Sequence, residues 1–189
     1  QWFEVSADPI VDETGALQGA VHILQDITER RKAEESLREQ RVFTENLLRH
    51  SAIATLVLDA GHKVLIWNEA CEELTGVTAS DMVGTDLQWK PFYGHERPVL
   101  GDIVLGEARE SLPMLYPGAT RSVLTPEGLH GEAWFENLNG KKRYIVFDAT
   151  PIRDSAGAIV AAIETLQDFT GSKKLEEQLY RAEQDWEYT

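Results

Sequence analysis

Residues 148–170 read Asp-Ala-Thr-Pro-Ile-Arg-Asp-Ser-Ala-Gly-Ala-Ile-Val-Ala-Ala-Ile-Glu-Thr-Leu-Gln-Asp-Phe-Thr, and a worn copy of them opens the chain. Residues 6–28 read Ser-Ala-Asp-Pro-Ile-Val-Asp-Glu-Thr-Gly-Ala-Leu-Gln-Gly-Ala-Val-His-Ile-Leu-Gln-Asp-Ile-Thr. A constant shift of 142 (151 − 9) pairs Pro9 with Pro151, Asp12 with Asp154 and Gly15 with Gly157. The same shift pairs Leu24-Gln25-Asp26 with Leu166-Gln167-Asp168, and Thr28 with Thr170, without a gap. Each copy reads strand, turn, strand, helix. Asp-x-x-Gly supplies the turn, because Gly takes a positive φ and Asp hydrogen-bonds its own following backbone. Asp26-x-Thr28 and Asp168-x-Thr170 then stop the second strand just before a charged helical segment. Solenoid repeats run about 20–50 residues, so this separation is that of whole domains in tandem. The first copy lacks everything upstream of its last two strands, which makes the chain look like a piece cut from a longer protein.

The 189 residues leave room for one ordinary domain plus appendages. A hydrophobic content of 42% is enough for a core, and no run approaches the roughly 20 apolar residues of a membrane span. A formal charge of −14, from 32 acidic and 18 basic residues, repels phosphate backbones and argues against nucleic acid as a partner. A lone Cys71 excludes an internal disulfide and a thiolate metal cage. A reducing, cytoplasmic compartment follows as the expectation, with any membrane anchor lying elsewhere in the parent protein.

Gln1–Ala7 and Leu17–Gln25 are expected as antiparallel strands around Asp12-Glu13-Thr14-Gly15. An isolated hairpin is marginal in water, so it needs another surface, with a chain–chain contact preferred over a frayed remnant. Thr28 to about His50 carries Ala33, Leu37, Thr44 and Leu47 as a thin apolar seam. Such a seam suits a parallel two-stranded coil, or else a solvated linker helix. Leu175, Leu179 and Ala182 form a similar seam near the end of the chain. Homodimerisation through residues 28–50, residues 172–187 or both is the resulting expectation.

Ala54–Asp59 and Lys63–Trp67 are strands joined by Ala60-Gly61-His62, with the positive φ expected at Gly61. Asn68 suits the N-cap of a helix that Gly76 ends, and Thr78-Ala79-Ser80-Asp81 reads as a capping box closed by Gly84. Arg97-Pro98-Val99-Leu100 should open a helix running to about Leu112, followed by a long loop over Pro113–Leu129. Gly131–Leu138 and Lys142–Ile152 are strands turned by Asn139-Gly140, and Ala158–Gln167 is the last strand. The order predicts an α+β domain: a five-stranded antiparallel sheet with helices on one face, flanked by amphipathic linker helices.

Several pieces now stand in one order: Trp67-Asn68-Glu69-Ala70, Leu74-Thr75-Gly76, Ser80-Asp81-Met82-Val83-Gly84, Pro151-Ile152-Arg153-Asp154 with Gly157, and Leu166-Gln167-Asp168-Phe169-Thr170. Together they make residues 47–170 resemble a PAS sensor domain, and residues 1–28 the C-terminal part of another. The chain then divides into the last strands of a preceding domain (1–27), a linker helix (28–50), a complete PAS domain (51–170) and a signalling helix (171–189). Pro91-Phe92-Tyr93 followed by Arg97-Pro98-Val99-Leu100 is similar to a bacterial subgroup found in sensor kinases and diguanylate cyclases. The resemblance implies a small-molecule cavity between sheet and helices, and coupling through terminal helices to an output domain of the same polypeptide. It also implies that Asp26 with Thr28, and Asp168 with Thr170, hold the strand-to-helix signal junctions. A plain helix cap explains the same residues.

The cofactor stays unknown. Cys71 lies in Glu-Ala-Cys-Glu-Glu and not in the Asn-Cys-Arg-Phe setting of flavin photosensors. His95 and His130 lack a haem-attachment context. No catalytic motif and no metal-ligand spacing is present. Candidate ligand-binding residues are Trp89, Phe92, Tyr93 and Trp134 as walls, with His95 or Arg97 reaching a polar group. The competing reading for these aromatics is ordinary core.

Overall fold

The computed structural model describes residues 1–106, 109–122 and 125–187. Two compact units divide the chain, Gln1–Leu47 and the remainder from Leu48. In the first, β1 (Phe3–Val11) and β2 (Leu17–Asp26) form an antiparallel hairpin leading into α1 (Thr28–Arg49). Asp12 makes the turn: its Oδ1 accepts from the peptide N–H groups of Thr14 (2.8 Å) and Ala16 (3.0 Å). Gly15 then takes φ +83°. α1 has no buried residue and is laced by Arg30–Glu34 and Arg41–Glu45 pairs, both 2.8 Å.

The second unit holds β3 (Ala54–Asp59), β4 (Val64–Trp67), α2 (Glu69–Thr75), α3 (Ala79–Met82), α4 (Leu100–Leu105), α5 (Leu112–Leu115) and β5 (Thr120–Arg121). β6 (Leu129–Leu138), β7 (Lys141–Arg153), β8 (Ile159–Asp168) and α6 (Thr170–Glu187) complete it. The sheet order is β4-β3-β8-β7-β6-β5, antiparallel throughout. Alternation puts Leu56, Leu58, Ile145, Phe147, Ala162 and Leu166 on one face, where Cys71, Leu74, Met82, Leu100 and Ile103 from the helices cover them. The α+β class and the one-sided helix layer are as expected.

Five local expectations need correction. The sheet has a sixth strand, because Thr120–Arg121 pairs with Leu129–His130 inside the segment read as loop, and α5 occupies its start. α4 stops after six residues: Gly106 turns left-handed (φ +118°) and its N–H bonds Ile103 O at 3.1 Å. Residues 107 and 108 of the longer expected helix lie outside the described residues. The positive φ of the β3–β4 turn falls on His62 (+64°) and not on Gly61, because Asp59 Oδ1 holds the N–H groups of both Gly61 and Lys63. The Thr78 side chain makes no bond to the α3 backbone; its hydroxyl donates to Asp81 Oδ2 (2.7 Å), while Glu72 accepts from Ala79 N–H. Pro98 precedes α4, since Val99 is the N-cap.

Asn68 does more than cap α2. Fully buried, it accepts at Oδ1 from Thr55 N–H (2.9 Å) and Cys71 N–H (3.0 Å). Its Nδ2 donates to Ile53 O (2.8 Å) and Leu48 O (3.2 Å), so one side chain ties the end of α1 to β3 and α2.

Candidate functional site

The segment 88–93 is irregular because Pro91 breaks it, and it lays Phe92 and Tyr93 over the sheet. Phe92 meets Phe135 edge-on at 5.7 Å, Tyr93 lies 6.0 Å from Phe135, and Phe135 meets Phe147 at 6.5 Å. Tyr116 packs edge-on against Phe147 at 5.7 Å. These rings, with Arg97, wall a cavity of about 340 Å³, near the lower end of small-molecule pockets. Tyr93 and Tyr116 hydroxyls are 2.9 Å apart, and Tyr116 donates to Pro98 O at 3.0 Å. Burial pushes both phenols above their ordinary range, so both stay protonated.

Arg97 runs between the two tyrosines, its guanidinium carbon 4.2 Å from the Tyr93 ring centre and 4.8 Å from that of Tyr116. One terminal nitrogen donates to Leu115 O at 2.5 Å, while Nε is buried without an acceptor. Of the six candidate residues, Phe92, Tyr93 and Arg97 therefore come together. Trp134 borders the same cavity, but its ring packs edge-on against Tyr144 at 5.1 Å, on the face of β6 opposite Phe135. Trp89 lines a second cavity, of about 590 Å³, that shares only Arg97 with the first. His95 is exposed and lines neither. Beside the second cavity Asp102, 2% exposed, accepts from Gln88 Nε2 (3.0 Å), Val99 N–H (2.9 Å) and a ring nitrogen of His62 (2.8 Å).

Tyr116, Phe135 and Phe147 were absent from the sequence candidates, as was Glu164. The alternation Ala162, Glu164, Leu166 in β8 marked Glu164 as inward-facing. It is 4% exposed, and its Oε2 accepts from Gly101 N–H at 2.7 Å. A Cβ on Gly101 would meet Leu58 at 3.1 Å and Glu164 Oε2 at 3.2 Å, so glycine lets the α4 backbone approach the carboxyl. Burial raises Glu164 to about 8, against the Gly101 bond, which lowers it.

The two strand-to-helix junctions share their backbone bonds at the 142 shift, while the threonine hydroxyl donates to Trp2 O in the first (3.5 Å) and to Asp168 Oδ1 in the second (2.5 Å). Trp2 N–H donates to Thr28 Oγ1 at 2.8 Å, and Tyr144 N–H to Thr170 Oγ1 at 2.9 Å. Ile27 N–H bonds Trp2 O, and Phe169 N–H bonds Tyr144 O, both at 2.9 Å. Asp26 and Asp168 each accept the peptide N–H of their threonine at 2.9 Å. Arg31 lies over Trp2 at 5.6 Å, and Lys173 over Tyr144 at 5.2 Å. One difference stands out: Arg143 pairs with Asp168 at 2.6 Å, and the matching position holds Gln1. For Asp168 burial acts upward, but hydrogen bonds from Thr170 and Arg143 prevail and hold its carboxyl below the usual range.

A family model described as "PAS domain" matches residues 1–29 and 51–171. The virulence sensor protein BvgS of Bordetella bronchiseptica is 27% identical over 172 residues, covering 89% of this chain, and that of Bordetella parapertussis matches equally. The chain spans 12% of the length of these relatives. Among solved structures, an RNA-binding light-oxygen-voltage receptor superposes with a TM-score of 0.54 at 16% identity, over 77% of this chain and 38% of that one. The PAS domain of Bordetella pertussis BvgS gives 0.49 at 22% identity, over 78% and 98%. No described helix is long and apolar enough to cross a membrane.

Proposed function

This chain belongs to the PAS domain family, and from that premise we propose that it senses a small molecule in the aromatic cavity and passes the result along α1 and α6. PAS domains are sensory and not catalytic modules, and the sensor proteins among its relatives set the context. The observation that carries the reading is the cavity of about 340 Å³ walled by Phe92, Tyr93, Tyr116, Phe135 and Phe147. An occupant favours one packing of α4 and α5 on the sheet, and through β7 and β8 one setting of the Asp168–Thr170 junction, which is a population shift. The output domain, a kinase or cyclase, belongs to the same polypeptide in the cytoplasm. A second copy covers the exposed seam of Leu37 and Leu47 in α1, or that of Leu175 and Leu179 in α6.

Native mass spectrometry of the purified chain tests the ligand. A retained small molecule, lost when Phe135 is replaced by Trp to fill the cavity, is expected. A ligand-free chain that also binds nothing in a small-molecule screen would favour a purely structural module. Sedimentation tests the assembly separately: a dimer is expected, weakened by Leu37→Glu or by Leu175→Glu.

A further inference from the structure

The cavity lining joins two chemistries. Phe92, Phe135 and Phe147 offer only ring edges and faces. Arg97, stacked on Tyr93 and Tyr116, brings a guanidinium with five N–H donors. One nitrogen reaches Leu115 O; Nε is buried and meets no acceptor. Among the described residues no carboxylate comes within ion-pair distance of this guanidinium, in a chain with 32 acidic and 18 basic side chains. Glu132 and Glu136 border the cavity but belong to the Trp134 face of β6, and Glu136 is engaged by Lys142 at 2.7 Å. The tyrosine hydroxyls do not compete for an anion. Tyr116 donates to Pro98 O, so in the 2.9 Å contact Tyr93 is the donor and Tyr116 the acceptor. Both protons are engaged, so neither hydroxyl is offered to an anion, and the positive charge of the lining is that of the guanidinium.

We infer that the cavity takes a compact aromatic monocarboxylate, its ring against Phe92, Phe135 and Phe147 and its carboxylate on the Arg97 guanidinium. The inference rests on the reading of this cavity as a ligand site. The planar guanidinium that lines the cavity matches a carboxylate in shape and charge. Stacking between Tyr93 and Tyr116 holds it in place, so little side-chain freedom is lost on binding. The surrounding charge of −14 repels anions at long range. Retention of one therefore depends on the cation inside, and salt that screens the surface speeds its entry.

Two-dimensional amide NMR of the full chain, titrated with sodium benzoate and separately with benzamide, tests this. Expected is saturable binding of benzoate with shifts at Tyr93, Phe135 and Phe147, and benzamide weaker by about tenfold or more, as loss of a charge-assisted pair requires. Arg97→Gln should bring the two affinities together, while Arg97→Lys keeps part of the preference. Equal binding of benzoate and benzamide by the native chain overturns the carboxylate assignment and leaves the cavity a ligand site. Saturable binding of neither, in a chain shown to be folded, overturns this inference, while native mass spectrometry and the small-molecule screen decide separately whether the cavity is a ligand site. If Arg97→Gln fails to fold, the comparison on the native chain still decides.

Discussion

At position 164 the central strand of the sheet turns a carboxyl into the core, where the peptide N–H of Gly101 meets it. Its protonated form suits that surrounding, which is why it titrates at about 8 against an ordinary 4.5. Between those values the folded chain keeps a proton that the unfolded chain has released. Stability is therefore fully present below the unfolded value and falls by about 1.4 kcal/mol per pH unit as pH rises, levelling off above the folded value. Glu164→Gln should remove that slope and make the chain more stable than the parent at pH 8. Urea unfolding across this pH range reads both, and parallel curves for the two proteins would refute the assignment. The inward position of Glu164 was legible from β8's alternation; its partner was not, because Gly101 is 63 residues away in sequence. Trp134 shows the same rule neglected: next to Phe135 in a strand, it has to face the other way.

Among the elements, those whose signals are local were readable. Asn139-Gly140 takes φ +52° and +73°, the mirror-image turn that this dipeptide specifies. The repeated Asp-x-x-Gly turns and the Asp-x-Thr stops formed as expected, since each needs bonds over only a few residues. β5 escaped because two residues carry no periodicity, and α4 was overdrawn because a single left-handed glycine ends it. The two junctions also make a controlled pair. Asp26→Ala removes an exposed cap and should lower the denaturant midpoint modestly. Asp168→Ala removes the same cap and strands Arg143, whose Nε already lacks an acceptor, so about 2 kcal/mol is expected. Denaturant midpoints of the two variants give the difference; equal losses would show the Arg143 pair to be idle. If the junction transmits as proposed, Asp168→Ala in the full-length protein alters output while ligand affinity stays near that of the parent.

For the whole molecule, repeat and family were open to reading because the two copies share turn chemistry at one fixed separation. α1 is fastened at both ends by side chains: Thr28 holds Trp2 N–H at its start, and Asn68 holds Leu48 O near its finish. A helix gains about 100° of rotation per residue, so one residue inserted near Gln40 turns one fastening by that angle relative to the other, whereas seven bring it back to within about 20°. If α1 carries the signal as proposed, basal output of the full-length protein changes with the first insertion and recovers with the second. A helix free at either end could absorb an extra residue by slipping; one held at both by side-chain bonds has to carry it along its whole length.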